Sequence, residues 1–411
     1  MPTQSHQRDV VNHLRAVQEL VSPLPGRTVA VGGADPRRVI ADAARALRAV
    51  PPADVSAVDG YVARVRDLAV GACLPVAGDI PAGHPPVEIP AGAAVRIMTG
   101  AVVPACDDDV AVVPVEDTDA PRVELPARVT VTALDAGRTH IRHAGEHLRA
   151  GDVAVPAGLP LDAGTLATLV SCGVEAVTAR PVPRVCVLTT GDETAPDARH
   201  ELWRIPDSNG PMLTRLISDF GAEVTAAHCR DDTAALAGLL DEAAAGSDLV
   251  VTAGGISAGA FDVVKALGHA ATADGRARMD FYPLAMHPGK PQGAGLWGDT
   301  PVVCLPGNPV AAWTSAVLFV APSVRRLAGL PAAGAIEELP QVALPLDGEL
   351  TPRHGGVSAA PVRLDWAAGV ARMSAARGSH MVGALAGADG LAVARPNAPT
   401  VVLRARQTRG P

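Results

Sequence analysis

Leu188-Thr189-Thr190-Gly191-Asp192-Glu193 closes a short apolar run over 184–190 and reads as a buried strand breaking into a glycine turn. Two later stretches repeat the pattern. They are Thr252-Ala253-Gly254-Gly255-Ile256-Ser257, with Asp262 behind it, and Leu305-Pro306-Gly307-Asn308-Pro309. Each follows an apolar run, and a basic residue or a helix start accompanies each. Loops at the carboxyl ends of neighbouring strands in an open α/β sheet converge on one crevice, where ligands bind. The surrounding rhythm supports that placement. Strand candidates at 184–190, 222–227, 248–253 and 301–305 alternate with helix candidates at 209–220, 232–245, 260–267 and 309–328. Such alternation predicts a multidomain α/β chain whose central three-layer α/β domain has a mixed, largely parallel sheet.

The loops carry local signals of their own. Ser208-Asn209-Gly210-Pro211 opens a helix with a capping residue and a first-turn proline, and Gly221 is placed to stop it. Asn308-Pro309 caps the 309–328 helix in the same way, leaving first-turn amides that could face an anion. Only two lysines occur in the chain, Lys265 and Lys290, and both fall in this segment. A compact ammonium in a chain that otherwise uses arginine suits an anion, although two residues are also compatible with chance.

Working outward, Val10, Val11, Leu14, Val17 and Leu20 repeat at helical spacing and predict a helix over 7–20. A second helix is predicted from Pro36 to Val50, with Val39, Ile40, Ala43 and Leu47 on one face. From Pro51 to about Val177, Gly and Pro recur between short Val and Ile runs, which reads as β-rich. Short β-like runs return at 340–346, 357–364 and 391–395, predicting a small C-terminal β domain. Hydrophobic residues at 48% and charged ones at 19% describe a globular chain. A net charge of -8 with dispersed acids excludes a nucleic-acid footprint. No apolar run reaches a membrane span and the start lacks a signal-like segment, so the expected location is cytoplasmic. Six cysteines without a CxxC pair read as free thiols, mostly buried, in a reducing compartment.

Together these motifs resemble the molybdopterin molybdenumtransferase family, which includes the gephyrin E domain. Val251-Thr252-Ala253-Gly254-Gly255-Ile256-Ser257-Ala258-Gly259, Met286-His287-Pro288-Gly289-Lys290-Pro291 and the Leu305–Pro309 loop carry the resemblance in the second half. In the first half, Ser56-Ala57-Val58-Asp59-Gly60-Tyr61 is similar to the family's Ser-Ala-Met-Asp-Gly-Tyr element, and Arg96-Ile97-Met98-Thr99-Gly100 to its Ile-Met-Thr-Gly element. Val112-Val113-Pro114-Val115-Glu116, Ile141-Arg142, Gly145-Glu146, Thr189–Glu193 and Asp207-Ser208-Asn209-Gly210 keep the family's order. The match spans about residues 36–395.

The resemblance implies molybdenum cofactor biosynthesis: insertion of molybdate into adenylated molybdopterin, with hydrolysis of the adenylate by a divalent metal, Mg²⁺. It implies a homodimer of four-domain chains with the site at the dimer interface, small-molecule substrates, no nucleic acid and no membrane, and contact with other cofactor-biosynthesis proteins. The expected division is 1–50 with 128–178 as an elongated dimerisation region, its N-terminal helix free to pack on the α/β domain. A β-rich domain at 51–127, the molybdopterin-binding α/β domain at 179–329 and a β domain at 330–411 complete it. Asp59, Thr99, Glu193 and Asp262 are the implied catalytic residues, with Asp59 and Thr99 serving the partner's α/β site. Asp192, Glu193 and Asp262 would hold the metal, since a hard cation takes oxygen ligands. Gly191, Asp192, Ser208, Asn209, Gly254, Gly255, Ser257, Gly307 and Asn308 would line the molybdopterin site. Lys290 with Pro291, Arg363 and Ser379 fall where the family binds the oxyanion, and an ammonium, a guanidinium and a hydroxyl suit a tetrahedral dianion.

Departures from the pattern are His147 for an aspartate, His287 for a lysine and Pro283 for a further basic residue. Histidine is cationic only part of the time near neutral pH, so two basic positions are lost or weakened. They leave open a divergent paralogue that binds molybdopterin or acts as a scaffold with little activity. His140, His143 and His147 fit no standard metal spacing and read as surface or packing residues.

Overall fold

The computed structural model describes residues 7–121, 123–135, 137–195, 203–257, 262–353, 355–374 and 378–405. Residues Ala258 and Gly259 of the second loop, and the first two residues of the helix expected at 260–267, lie outside that set. Two compact units result, one formed by 1–27, 35–41 and 178–411 and the other by 28–34 and 42–177.

At the centre of the first unit is a six-stranded sheet. Its strands are β1 (Arg184–Thr190), β2 (Glu223–Cys229), β3 (Leu249–Ala253), β4 (Ala277–Pro283), β5 (Pro291–Trp297) and β6 (Thr300–Leu305), in spatial order β2-β1-β3-β6-β5-β4. The pairs β2/β1, β1/β3 and β3/β6 are parallel, whereas β6/β5 and β5/β4 are antiparallel. The strand period of two explains why the central strands are apolar throughout. Val185, Val187, Leu249, Val251, Val303 and Leu305 pack to one side. Cys186, Leu188, Val250, Val302 and Cys304 pack to the other. The first side is covered by α1 (Val10–Glu19), α2 (Asn209–Asp219) and α5 (Pro309–Ser315), and the second by α3 (Thr233–Gly246) and α4 (Val263–Ala273). A single π turn, Ala316–Val320, joins α5 to α6 (Ala321–Leu327). This is the expected three-layer α/β domain with a mixed, largely parallel sheet.

A second sheet in this unit holds β7 (Val357–Asp365), β8 (Val370–Met373), β9 (Gly390–Arg395) and β10 (Ala398–Arg404). The short strand Met286–His287 pairs with β7 in parallel and sets His287 opposite Ser358.

The other unit is β-rich, as expected from 51–177, with a five-stranded sheet built from Gly60–Arg64, Cys73–Ile80, Ala94–Ile97, Val110–Pro114 and Arg128–Thr130. It also holds one helix that the turn-rich texture concealed, Ala163–Ser171, with Asp162 accepting the Thr165 amide at 2.9 Å as its cap. The helix predicted from Pro36 to Val50 does not form. Val39–Ile40 pairs instead with Arg180 and Ala179, and Ala44–Arg45 with Val155 and Val153. Val39 and Ile40 point to opposite sides of the strand and are buried on both, and their β-branching suits a strand. All six cysteines are free, with four buried as anticipated, but Cys73 is exposed.

The α1 helix begins where Asp9 accepts the amides of Val11 and Asn12, and it buries Val10, His13, Leu14 and Val17. His13 Nδ1 lies 2.7 Å from the Tyr282 hydroxyl on β4, and its ring meets Phe319 edge-on. Burial first, and the nearby Arg8 charge second, push its pKa down to about 3. The unfolded chain therefore binds a proton here, between the ordinary histidine value and about 3, that the folded chain refuses. The stability this group contributes is complete above the ordinary value and falls as pH drops through that window. Chemical denaturation at a series of pH values should show wild type losing stability from about pH 6.5 downward more steeply than His13→Gln. Equal slopes would contradict a neutral buried His13.

Candidate functional site

The parallel strands deliver their carboxyl ends to one edge of the sheet, and the loops meet there. Thr189 at the end of β1 donates its hydroxyl to Asp207 Oδ2 at 2.7 Å. Asp207 Oδ1 accepts the amides of Asn209 at 2.9 Å and Gly210 at 3.1 Å. The first turn of α2 is thus held by Asp207. Ser208, the cap expected from the sequence, makes no side-chain capping bond, and neither does Asn308 at the start of α5. Asn308 Nδ2 instead reaches Ser379 Oγ at 3.3 Å. Asn209 Nδ2 donates to the Gly307 carbonyl at 2.6 Å and ties the first loop region to the third. The second loop closes on the first at Gly254, whose φ is +100° and where a Cβ would stand 2.7 Å from the Thr190 carbonyl. Only glycine accepts both conditions.

The loops enclose a crevice of about 510 Å³. Glu193, Ser208, Asn209, Gly254, Gly255, Ser257, Asp262, Lys290, Pro291, Gly307, Asn308 and Ser379, all singled out from the sequence, line it. Asp207, which sequence reasoning did not select, lines it too. Its signal was present, since an acid two residues before a helix start is a natural acceptor for first-turn amides. Asp262 occupies the cap position of α4 but makes no side-chain capping bond. The buried Asn209 Oδ1 and Thr190 Oγ1 have no hydrogen-bond partner in the protein. On β6, burial pushes the Cys304 thiol up to about 12, so the thiol stays protonated.

Other expected residues stand elsewhere. Gly191 turns the chain with φ +142° ahead of Glu193 and is outside the lining. Asp192 is 65% exposed and faces Arg230, with Oδ1 3.7 Å from its guanidinium and 3.3 Å from the Asp231 amide. Arg363 is exposed on β7 and lines neither the crevice nor its side pocket. That side pocket, about 100 Å³, shares His287, Pro288 and Ser379 with the crevice and adds Ser358. Ser358 is 2% exposed and its Oγ has no partner in the protein. Residues 358 and 363 are an odd number apart on one strand, which puts them on opposite faces. Lys290, His287 and Ser379 line the crevice, Ser358 lines the side pocket beside them, and the expected Arg363 stands outside both.

In the β-rich unit, Asp59 and Thr99 come together. Asp59 Oδ1 accepts the Thr99 amide at 2.7 Å and its hydroxyl at 2.8 Å. Gly60 follows because a Cβ there would lie 2.1 Å from the Val113 carbonyl on the neighbouring strand. Among the described residues no group of three or more His, Cys, Asp or Glu side chains could hold a metal ion, and His143 and His147 are exposed. His143 Nδ1 pairs with Asp54 at 3.1 Å.

Comparisons with known proteins cover most of the chain. Residues 8–173 match the family described as the MoeA N-terminal region (domain I and II), and residues 186–326 match that described as a probable molybdopterin binding domain. Molybdopterin molybdenumtransferase 2 of Mycobacterium tuberculosis is 37% identical over 398 residues, covering 94% of each chain. The molybdopterin molybdenumtransferase of Haemophilus influenzae is 33% identical over 68% of each. Among solved structures, the molybdopterin biosynthesis moea protein from Pyrococcus horikosii superposes with a TM-score of 0.76 at 24% identity, over 97% of this chain and 99% of that one.

The cap assignment is directly testable. Asp207→Ala should cost about 1–2 kcal/mol, the range for losing a helix cap, whereas Ser208→Ala should cost a few tenths at most. Urea midpoints of the two variants give the comparison, and equal losses would return the cap to Ser208.

Proposed function

This chain belongs to the molybdopterin molybdenumtransferase family, and we propose that it inserts molybdate into adenylated molybdopterin and releases AMP. The observation that carries the reading is the convergence of three loops, three carboxylates and one lysine on a single crevice. The glycines of the three loops leave room for phosphate oxygens to approach the backbone, and the Ser257 hydroxyl and Asn308 carboxamide in the crevice offer donors. Lys290 supplies a fixed charge for the oxyanion, and the hydroxyls of Ser358 and Ser379 supply neutral donors beside it. His287 adds a donor whose charge depends on pH.

The donor set fits Mg²⁺ of a particular kind. Mg²⁺ keeps several waters and binds through one or two carboxylates together with substrate phosphates, so it needs no preformed cage of acids. Glu193 and Asp262, both lining the crevice, would hold it, while Asp192, turned toward Arg230, would do so only after leaving that partner. When bound, the ion offsets the charge that develops as the adenylate anhydride breaks. The chain's own groups do the rest. The glycine loops bring backbone close to the phosphates, and Lys290 with the serine hydroxyls presents molybdate to the dithiolene.

Asp59 and Thr99 form a second donor–acceptor pair, and the resemblance assigns such a pair to the partner's crevice. We therefore read the protein as a cytoplasmic homodimer in which each site draws on both chains. The division into four domains at 1–50 with 128–178, 51–127, 179–329 and 330–411, and contact with other cofactor-biosynthesis proteins, belong to the same proposal. A non-catalytic scaffold finds no support in the crevice, which keeps its loops, carboxylates and lysine.

Asp262→Asn is nearly isosteric and should fold with an unchanged denaturation midpoint while slowing AMP release by about 100-fold or more. Unchanged turnover at saturating Mg²⁺ would leave Asp262 a helix-terminal residue only. For assembly, mixing Asp59→Asn chains with Lys290→Ala chains should restore AMP release in the hybrid dimer, because one of its two sites is then intact. Two inactive partners whose mixture stays inactive would place each site within one chain.

A further inference from the structure

One polar chain around the crevice belongs to none of the roles above. The parallel register of β1 and β2 sets His228 opposite Thr189. His228 Nδ1 lies 3.0 Å from Thr189 Oγ1, whose other short contact, 2.7 Å, is Asp207 Oδ2. The imidazole is 3.9 Å from that carboxylate, beyond hydrogen-bond reach, so it meets Asp207 only through the threonine. Both side chains are largely out of water, at 16% and 7% exposure.

A threonine hydroxyl has a single proton and two lone pairs. Its bond to a carboxylate oxygen uses the proton, so toward His228 it can only accept. Nδ1 must then carry hydrogen, whether the ring is neutral or charged. In the neutral ring this fixes the tautomer and leaves Nε2 as the acceptor. The order of donation runs from His228 to Thr189 to Asp207, where Oδ1 already accepts two α2 amides. The last link is Asn209, whose carboxamide reaches Gly307 in the third loop.

We propose that His228 is a positioning residue for the crevice. Its Nδ1–H orients the Thr189 hydroxyl toward Asp207, and Asp207 in turn fixes the first turn of α2, from which Asn209 reaches Gly307. His228 itself does not line the crevice, and its ring faces a separate groove between β2 and α2. The proposal rests on the crevice being the substrate site. Without His228, Thr189 keeps its bond to Asp207 but is free to swing, and the first turn of α2, which carries the crevice residue Asn209, loses its fixed seat. The effect should fall on substrate binding.

Two measurements on the full-length protein test this. The first is NMR of ¹⁵N-histidine-labelled protein at alkaline pH, where the ring is neutral. His228 should be the Nδ1–H tautomer, and Thr189→Val should abolish that preference. An Nε2–H tautomer in wild type overturns the proposal, and this readout stands whether or not the chain releases AMP. The second is steady-state AMP release from adenylated molybdopterin. His228→Phe should raise KM by about two- to ten-fold, the scale of one hydrogen bond, with kcat changed less. His228→Asn, which can present an amide N–H near the Nδ1 position, should recover most of the loss. A KM in His228→Phe equal to wild type, or no recovery in His228→Asn relative to a folded His228→Phe, overturns the positioning role. If wild type itself releases no AMP, the functional reading fails while the tautomer still decides the hydrogen-bond order.

Discussion

Parallel pairing of β1, β3 and β6 is the constraint on which the candidate site depends. The register Leu188 to Thr252 to Cys304 holds the three strands level, so their loops emerge side by side. That pairing is stable only because both faces of the strands are covered, with alternate residues packed into two separate helical layers. Burial thus fixes the sheet, the sheet fixes the edge, and the edge gathers residues that lie as far apart as Glu193 and Ser379. Hydrogen bonds then finish the geometry, above all the bond from Asn209 to Gly307 and the Asp207 clasp on α2.

Much of the α/β domain was legible because its signals are local. Apolar runs ending in glycine turns, followed by helix starts, locate β1, β3, β6 and α2 and the start of α5 within a residue or two. Strands β4 and β5 were not legible. Gly293 and Gly295 make β5 read as a turn, whereas they are there because β4 passes too close for side chains, with Phe281 and the Arg278 carbonyl in the way. Segment 36–50 misled in the opposite direction. Its apolar spacing suits a helix, but the partners of Val39–Ile40 lie about 140 residues away and no local pattern announces them. At the site, ordered motifs found twelve of the crevice residues. Asp207 was passed over as a cap in favour of the adjacent serine, and Arg363, which the resemblance places at the oxyanion site, stands on the face of β7 opposite to Ser358.

Chemically the crevice combines carboxylates (Glu193, Asp207 and Asp262) with Lys290, and the adjoining side pocket brings Ser358 beside His287 and Ser379. Carboxylates suit a metal-bound phosphate, and an ammonium with hydroxyls suits a free oxyanion. The donor set is less cationic than arginine and two lysines would make it. Neutral donors such as Ser358 Oγ bind an anion through direction more than through charge, so they demand closer placement of the ligand.

The central claim is that the three loops at the carboxyl edge of the sheet hold the substrate together. Amide hydrogen exchange of the full chain, with and without molybdopterin, tests it most directly. Protection should appear in the segments around 190–194, 207–210, 253–257 and 306–310 at once, with the remaining strands and helices unchanged. Protection confined to one of these segments, or centred on a different part of the chain, would contradict the account.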